Sequence, residues 1–508
     1  RLSPIPGFDM IDLQEIPPKQ TDDFFGPSLK IYGGKMHSAR IQDMPVDHTD
    51  LITPELRSVV NSYCVNDLIT TRDLFTNFLT QVKQREDLSA EYGLDLRSRS
   101  DAQISEAVIR GQLTFKPERP QIHEGTTYRY EAPAFVYFQT QQLRDLLALI
   151  QNTPFVISDK GTLKLPESLK ALRVPIGCNS YTVRMGGLHS TETVCYHIAD
   201  LDYSLQDFDV ASFYPRTIDT LGLYPRQIGP GFLTIFRKLM TSRLAAKSAG
   251  NKKLADMLKI VINGAYGKLG SPYSVLYAPD LMLQVTLTGQ LALLMLIEAQ
   301  HLNGVQCVSA NTDGVVFKTR RTLEPQRDAV CDWWQQVTGY VLESTPYAAL
   351  FSRDVNSYVA FKPDGEAKKK GEFADPVPVA SSWPNPECQI SVDAAVSYLR
   401  DGTPIERTVR ECRDVRKFVA VRKVQGGGLF EGQKLGRAVR WYYSTRGSCI
   451  TYARSGNLVA QSEGARPMMQ LCADVPTDTD FDYYITRAKR MLLTVGVKFV
   501  DGPVSLGL

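Results

Sequence analysis

Between residues 54 and 84, the apolar positions Leu56, Val60, Tyr63, Cys64, Leu68, Leu74 and Leu79 recur at helical spacing, which predicts an amphipathic helix. A mixed region follows up to about residue 200, with a strand-like run at 135–138 and a helical pattern at 141–150. The next stretch is more sharply patterned. A strand-like segment ends at Asp207-Phe208-Asp209, and helices are predicted over 233–248 and 252–269. They join at Ala249-Gly250-Asn251, where Gly250 is suited to stop the first. An apolar run covers 281–299. After it come a strand at 305–310, the turn Asn311-Thr312-Asp313-Gly314 and a strand at 315–318, the pattern of a hairpin. Ahead of residue 55, Pro4, Pro6, Pro17, Pro18, Pro27 and Pro45 predict loops. From about 386 onward, helical and strand-like pieces alternate among many basic and aromatic residues. No internal repeat or low-complexity tract stands out.

Length changes this picture first. A chain of 508 residues exceeds one ordinary core and predicts two to four packed units. Hydrophobic content of 43% and charged content of 22% suit a soluble globular protein. The apolar run 281–299 is interrupted by Gln284, Thr286, Gln290 and Glu298, so it reads as a buried helix rather than a bilayer span, and no signal peptide is apparent. A net charge of +3 means that a nucleic-acid partner would need basic residues concentrated locally. Nine scattered cysteines, without a CxxC pair or zinc spacing, point to reduced thiols in a cytosolic compartment. The chain opens at Arg1 without an initiator methionine, and is expected to be a fragment.

Candidate chemistry begins at Asp209-Val210-Ala211-Ser212-Phe213-Tyr214-Pro215, a carboxylate at a strand end followed by turning residues. A strand end and a tight turn would by themselves account for Asp209 and for Asp313. The helices between them add charge. On the second, Lys252, Asp256, Lys259, Asn263 and Tyr266 share one stripe, opposite Leu254, Leu258, Val261, Ala265 and Leu269. On the first, Arg243 and Lys247 lie one turn apart. Paired antiparallel, the helices would gather cations suited to a triphosphate; a solvated charged surface is the plainer alternative.

In order along the chain, Asp209-x-x-Ser212-x-Tyr214-Pro215, Lys259-x-x-x-Asn263-Gly264-x-Tyr266-Gly267 and Asn311-Thr312-Asp313-Gly314 resemble the three polymerase motifs of family B DNA polymerases, in the flavour found in bacteriophages. The family's usual forms are DxxSLYP, KxxxNSxYG and DTDS. The resemblance implies an α+β right-hand fold: a palm with an antiparallel sheet, two-helix fingers and a thumb. It also implies the C-terminal remnant of an RNase H-like 3′–5′ exonuclease domain. The implied boundaries are 1–85 for that remnant, 86–200 for a segment leading into the palm, 201–231 and 271–385 for the palm, 232–270 for the fingers and 386–508 for the thumb.

By that resemblance, Asp209 and Asp313 would bind two Mg²⁺ ions, which Mn²⁺ can replace, with the Val210 carbonyl as a further ligand. Ser212, Phe213 and Tyr214 would border the incoming nucleotide, with Tyr214 excluding a 2′-hydroxyl. Arg243, Lys247 and Lys259 would hold the triphosphate. Asn263 and Tyr266 would line the nascent base pair. Primer-template DNA would be met by Arg184, Gly186 and Gly187, in a segment similar to the family's YxGG, and by Gly267, Tyr358, Lys368, Lys369 and Lys370. The chain departs from the family at Asn311, in place of an aspartate, and at Gly264 and Gly314, in place of serines. Asn356 stands where the family often has a lysine.

Tyr63-Cys64-Val65-Asn66-Asp67 resembles the third exonuclease motif, but no convincing D-x-E precedes it, and one carboxylate cannot build a two-metal site. Proofreading is therefore expected to be absent. The stretch 416–446 combines eight basic residues with Trp441-Tyr442-Tyr443 and resembles a thumb. The gaps from Asp209 to Lys259 and from Asn263 to Asp313 are each about fifty residues, leaving no room for the insertions of protein-primed enzymes, so a nucleic-acid primer is expected. Expected partners are primer-template DNA, dNTPs and replisome accessory proteins, with no membrane, in the (host) cytoplasm. The alternatives are a catalytically impaired, polymerase-like DNA-binding protein, a nuclease, and an RNA-synthesising palm enzyme, which the bulky Tyr214 disfavours.

Overall fold

The computed structural model describes residues 10–17, 27–46, 49, 51–377 and 383–497. Pro4, Pro6 and Pro18 lie outside these. The fold is mixed α/β with several open antiparallel sheets. The chain divides into two compact units, residues 84–371 and residues 1–83 with 372–508.

The first of these carries a seven-stranded sheet, ordered Leu342–Tyr347, Tyr203–Val210, Gly314–Arg320, Gln306–Thr312, Gly187–Ser190, Asn179–Arg184 and Val174–Ile176. All its pairings are antiparallel. The apolar run forms the helix Pro279–Leu302, which is almost entirely buried. With the helices Gln141–Asn152 and Glu324–Thr338 it builds a core against the sheet, around Leu291, Leu294, Phe317 and Trp334. A second sheet runs Ala367–Lys370, Ser357–Phe361, Ala349–Asp354 and Cys195–Ile198.

The two cationic helices form as their periodicity predicts, over Gly231–Ser248 and Lys252–Leu269, and pack together. Gly250 adopts φ +70°, and the Asn251 side chain caps the second helix at the Leu254 amide, 3.1 Å away. A third helix, Asp101–Gly111, lies against the second through Ile104, Ala107 and Val108. The contact is close enough to require Gly264. A Cβ there would stand 2.7 Å from Ser105 Cβ and 3.0 Å from the Asp101 carbonyl oxygen. This departure from the family pattern thus has a packing reason.

Three expectations change. Residues 135–138 form no strand. They alternate between buried and more exposed as a strand would, but Pro133 starts a turn with the Val136 amide and no neighbouring strand pairs with them. The pattern at 54–84 becomes two helices, Pro54–Asn77 and Leu79–Tyr92. The lysines 368–370, for which the sequence offers a solvated loop charge run as the alternative to phosphate contacts, lie in the strand Ala367–Lys370.

The other unit contains the hairpin Ala420–Phe430 with Gln433–Ser448 and the helices Gln389–Asp401 and Phe481–Thr494. The segment around residues 38–43 belongs to it. Ile41 donates to Met469 O at 2.9 Å, and Leu471 donates to Ala39 O at 2.7 Å.

Candidate active site

Asp209 lies near the end of the strand Tyr203–Val210, directly opposite Gly314 on one side and Glu343 on the other. Asp313 occupies the turn of the adjacent hairpin. That turn is tight: the Asp313 amide donates to Asn311 O at 2.7 Å around Thr312, whose φ is +61°. A β-branched residue in the left-handed region is strained, and such strain gathers at functional sites. The Val210 amide donates to Asp313 O at 2.9 Å, fastening the strand end to the turn. Gly314 has a spatial reason as well, since a Cβ there would lie 2.4 Å from Asp209 Oδ1. Gly187 is required for the same turn, because its Cβ would meet Thr312 Cα at 2.9 Å. Gly186 faces open space.

The two carboxylates line one small cleft, with Asp207, Asn311, Tyr347, Tyr358, Lys368 and Lys370. Burial, then the charge of Asp207, pushes the Asp209 pKa up; burial, then the charge of Asp209, does the same for Asp313. Lys368 and Lys370 work against both shifts. Asn311 does not face this charge as an acid would. Its side-chain amide donates to Val355 O at 2.8 Å, a bond a carboxylate could not make.

Asp207 was not singled out from sequence. It lies two residues before Asp209, hence on the same face of the sheet, and is only 5% exposed. Tyr347 donates to it, and Lys368 Nζ lies 2.8 Å from its Oδ2 and 3.6 Å from Asp209 Oδ2. Against the cost of burial, Asp207 holds the Lys368 pKa well above the usual lysine value. Lys368 and Lys370 are two positions apart on the strand and face the carboxylates, whereas Lys369 points the other way. Lys370 lies 5.8 Å above the Tyr358 ring.

Tyr214 is the second residue of the helix Phe213–Thr220, which forms where the sequence pattern predicts a turn. Its ring stacks on Tyr266 with centroids 4.0 Å apart, and its hydroxyl donates to Gly186 O at 3.1 Å. Tyr266 in turn bonds to Thr286 at 2.7 Å. Phe213 is buried beside Tyr214. Arg184 is held by its backbone: its amide donates to Gln290 Oε1 at 2.9 Å, and Gln290 Nε2 donates to its carbonyl at 2.8 Å.

The cations divide. Arg243 donates to Ser212 Oγ, and Lys247 pairs with Glu343 at 2.6 Å, so both reach the Asp209 end of the sheet. Lys259, Asn263 and Gly267 are exposed on the facing helix, opposite buried Leu258, Val261 and Ala265. Tyr63 and Asp67 belong to the other unit, one helical turn apart. Lys30 pairs with Asp67 and sits 4.2 Å above the Tyr63 ring, so this carboxylate is already neutralised.

Among the described residues, no three His, Cys, Asp or Glu side chains are grouped closely enough to hold a metal ion alone. Two carboxylates lining one cleft suit a hard cation that keeps water or phosphate oxygens as its other ligands.

No protein-family model and no curated protein matches the sequence. Among solved structures, the chain is similar to the family B DNA polymerase from the hyperthermophilic archaeon Pyrobaculum calidifontis, at 15% identity and a TM-score of 0.46. That similarity covers 97% of this chain and 64% of the archaeal one, so the chain spans less than two thirds of that polymerase.

Proposed function

We propose that this chain is a template-directed DNA polymerase of the family B type, which extends the 3′-end of a nucleic-acid primer with dNTPs by two-metal phosphoryl transfer. The observation that carries the reading is the convergence of Asp209 and Asp313 at one sheet end, beside the stacked Tyr214 and Tyr266. These residues come from all three motifs. On this reading, the unit 84–371 supplies palm and fingers, and the C-terminal region acts as the thumb.

Asp209, Asp313 and the Val210 carbonyl would hold Mg²⁺, or Mn²⁺ in its place. The ions would supply activation of the primer hydroxyl and charge neutralisation at the leaving pyrophosphate. Arg243, Lys247 and Lys259 bind the triphosphate, Arg243 through a planar fork and the lysines as point charges. Arg243 also orients Ser212, the first residue of the nucleotide-bordering run. Tyr214, braced by Tyr266 and Gly186, presents a fixed wall to the sugar and excludes a 2′-hydroxyl. Asn263 and Tyr266 border the nascent pair. Gly186, Gly267, Arg184, Tyr358, Lys369 and Lys370 meet the DNA. The phage flavour of the motifs points to replication of phage DNA in the host cytoplasm with accessory proteins.

A second reading, a silent DNA-binding relative, draws on Lys368 lying against Asp209 and on the missing acid at 311. Primer extension with Mg²⁺ and dNTPs separates the two. The wild type should extend and Asp313→Asn should lose at least about a hundredfold in rate. Equal rates would remove the metal assignment. Tyr214→Ala should admit ribonucleotides, and unchanged discrimination would end its role as a gate.

A further inference from the structure

Asp207 has no part in the three motifs, yet it is the most deeply enclosed carboxylate of the cleft. Its Oδ2 receives both the Tyr347 hydroxyl and the Lys368 ammonium. Lys368 is thus shared unequally, 2.8 Å from Asp207 and 3.6 Å from Asp209. The lysine comes from a different sheet, opposite Ala360, and its ammonium lies 5.9 Å from the Tyr347 ring. An ammonium and a divalent cation compete for the same carboxylate oxygens. Left without an anchor, this ammonium would close on Asp209, the nearest remaining carboxylate.

We propose that Asp207 is a positioning residue: it holds the Lys368 ammonium to one side, so that Asp209 remains open to a divalent cation. The inference rests on the polymerase reading for the identity of Asp209 as a metal ligand. Its chemistry is that of charge competition alone. With Asp207 present, the lysine tempers the repulsion among the carboxylates and does not occupy the seat. Without Asp207, the lysine becomes an internal competitor of the metal.

The test is a titration of the intact chain with Mn²⁺, following the loss of free-ion signal by electron paramagnetic resonance, with Asp209→Asn as the control that loses the site. Asp207→Asn, which keeps an oxygen for Tyr347, should bind Mn²⁺ about tenfold more weakly than the wild type, because the lysine then moves onto Asp209. Lys368→Gln should bind more tightly than the wild type. The double variant Asp207→Asn with Lys368→Gln should recover at least wild-type affinity. A double variant as weak as Asp207→Asn would make Asp207 a metal ligand and overturn the proposal. Unchanged affinity in Asp207→Asn, with only a lower melting temperature, would leave it a purely structural acid and also overturn the proposal. Weaker binding by Lys368→Gln would do the same. If wild type binds Mn²⁺ with this pattern and yet extends no primer, the polymerase reading fails and the positioning role stands.

Discussion

At the residue scale, the cleft is a place where carboxylates are held closer than they would choose. The pKa values of Asp209 and Asp313 are both raised above the ordinary carboxylate value, so the folded chain binds these protons more tightly than the unfolded chain does. Their contribution to stability is therefore present in acid and is lost as pH rises through the raised values. At neutral pH the site is poised to accept positive charge, and activity should decline on the acid side at a pH above that of a free carboxylate. Asp313→Asn should raise the melting temperature of the chelator-treated protein at neutral pH while abolishing extension, and should flatten its rise in relative stability between about pH 7 and pH 4. A variant that melts below the wild type in chelator would contradict this account of strain. Gly314→Ser should impair the site, because its Cβ collides with Asp209 Oδ1.

At the scale of elements, the long helix Pro279–Leu302 shows how polar interruptions in an apolar run can be structural instructions. Glu298 accepts from the Thr140 amide at 2.7 Å and its hydroxyl at 2.6 Å, capping the start of Gln141–Asn152. Thr286 holds Tyr266, and Gln290 clasps both backbone groups of Arg184. One buried helix thus fixes the stacked tyrosines and the glycine loop beside the cleft. Gln290→Leu keeps the apolar volume but leaves the Arg184 amide and carbonyl without these partners, and should lower stability by about 1–3 kcal/mol. A melting curve superimposable on the wild type would show that the clasp is dispensable. The two cationic helices and the hairpin were legible in the sequence because their signals are local: 3.6-residue periodicity, a glycine stop, an Asn-to-Gly turn. Asp207, Tyr347 and Lys368 were not legible as a network, because their pairing joins positions about 140 and 161 residues apart across two sheets. The helix Phe213–Thr220 was hidden by Pro215, which reads as a breaker but is tolerated in a first helical turn. Gly264 and Gly314 read as losses against the family pattern, and only the approach of Ser105 and Asp209 reveals why they are glycines.

At the scale of the whole molecule, every residue of the cleft belongs to the unit 84–371, whereas the other unit is assembled from the two ends of the chain. What joins those ends is unusual. Arg440, fully buried on the strand Gln433–Ser448, donates to four backbone carbonyls, at 2.8 Å to Met468 and Ser38, 3.3 Å to Ala39 and 3.2 Å to Met469. Burial lowers its pKa to about 10. Among the described residues no carboxylate pairs with this guanidinium, which makes it costly to bury, and it is tolerated because its planar fork satisfies carbonyls from both chain ends at once. Asp43 adds a second tie, accepting from the Arg437 amide at 2.6 Å. Arg440→Ala removes the donors and leaves a cavity, which should destabilise this unit by about 2–4 kcal/mol. Because the carboxylates, Lys368 and the stacked tyrosines all lie in the other unit, the same variant should retain wild-type Mn²⁺ affinity at temperatures where it is folded. The two quantities can be read on one sample, by thermal unfolding and by the Mn²⁺ titration. Loss of both together would mean that the cleft depends on the terminal unit for its geometry. Loss of stability alone would locate metal binding within 84–371.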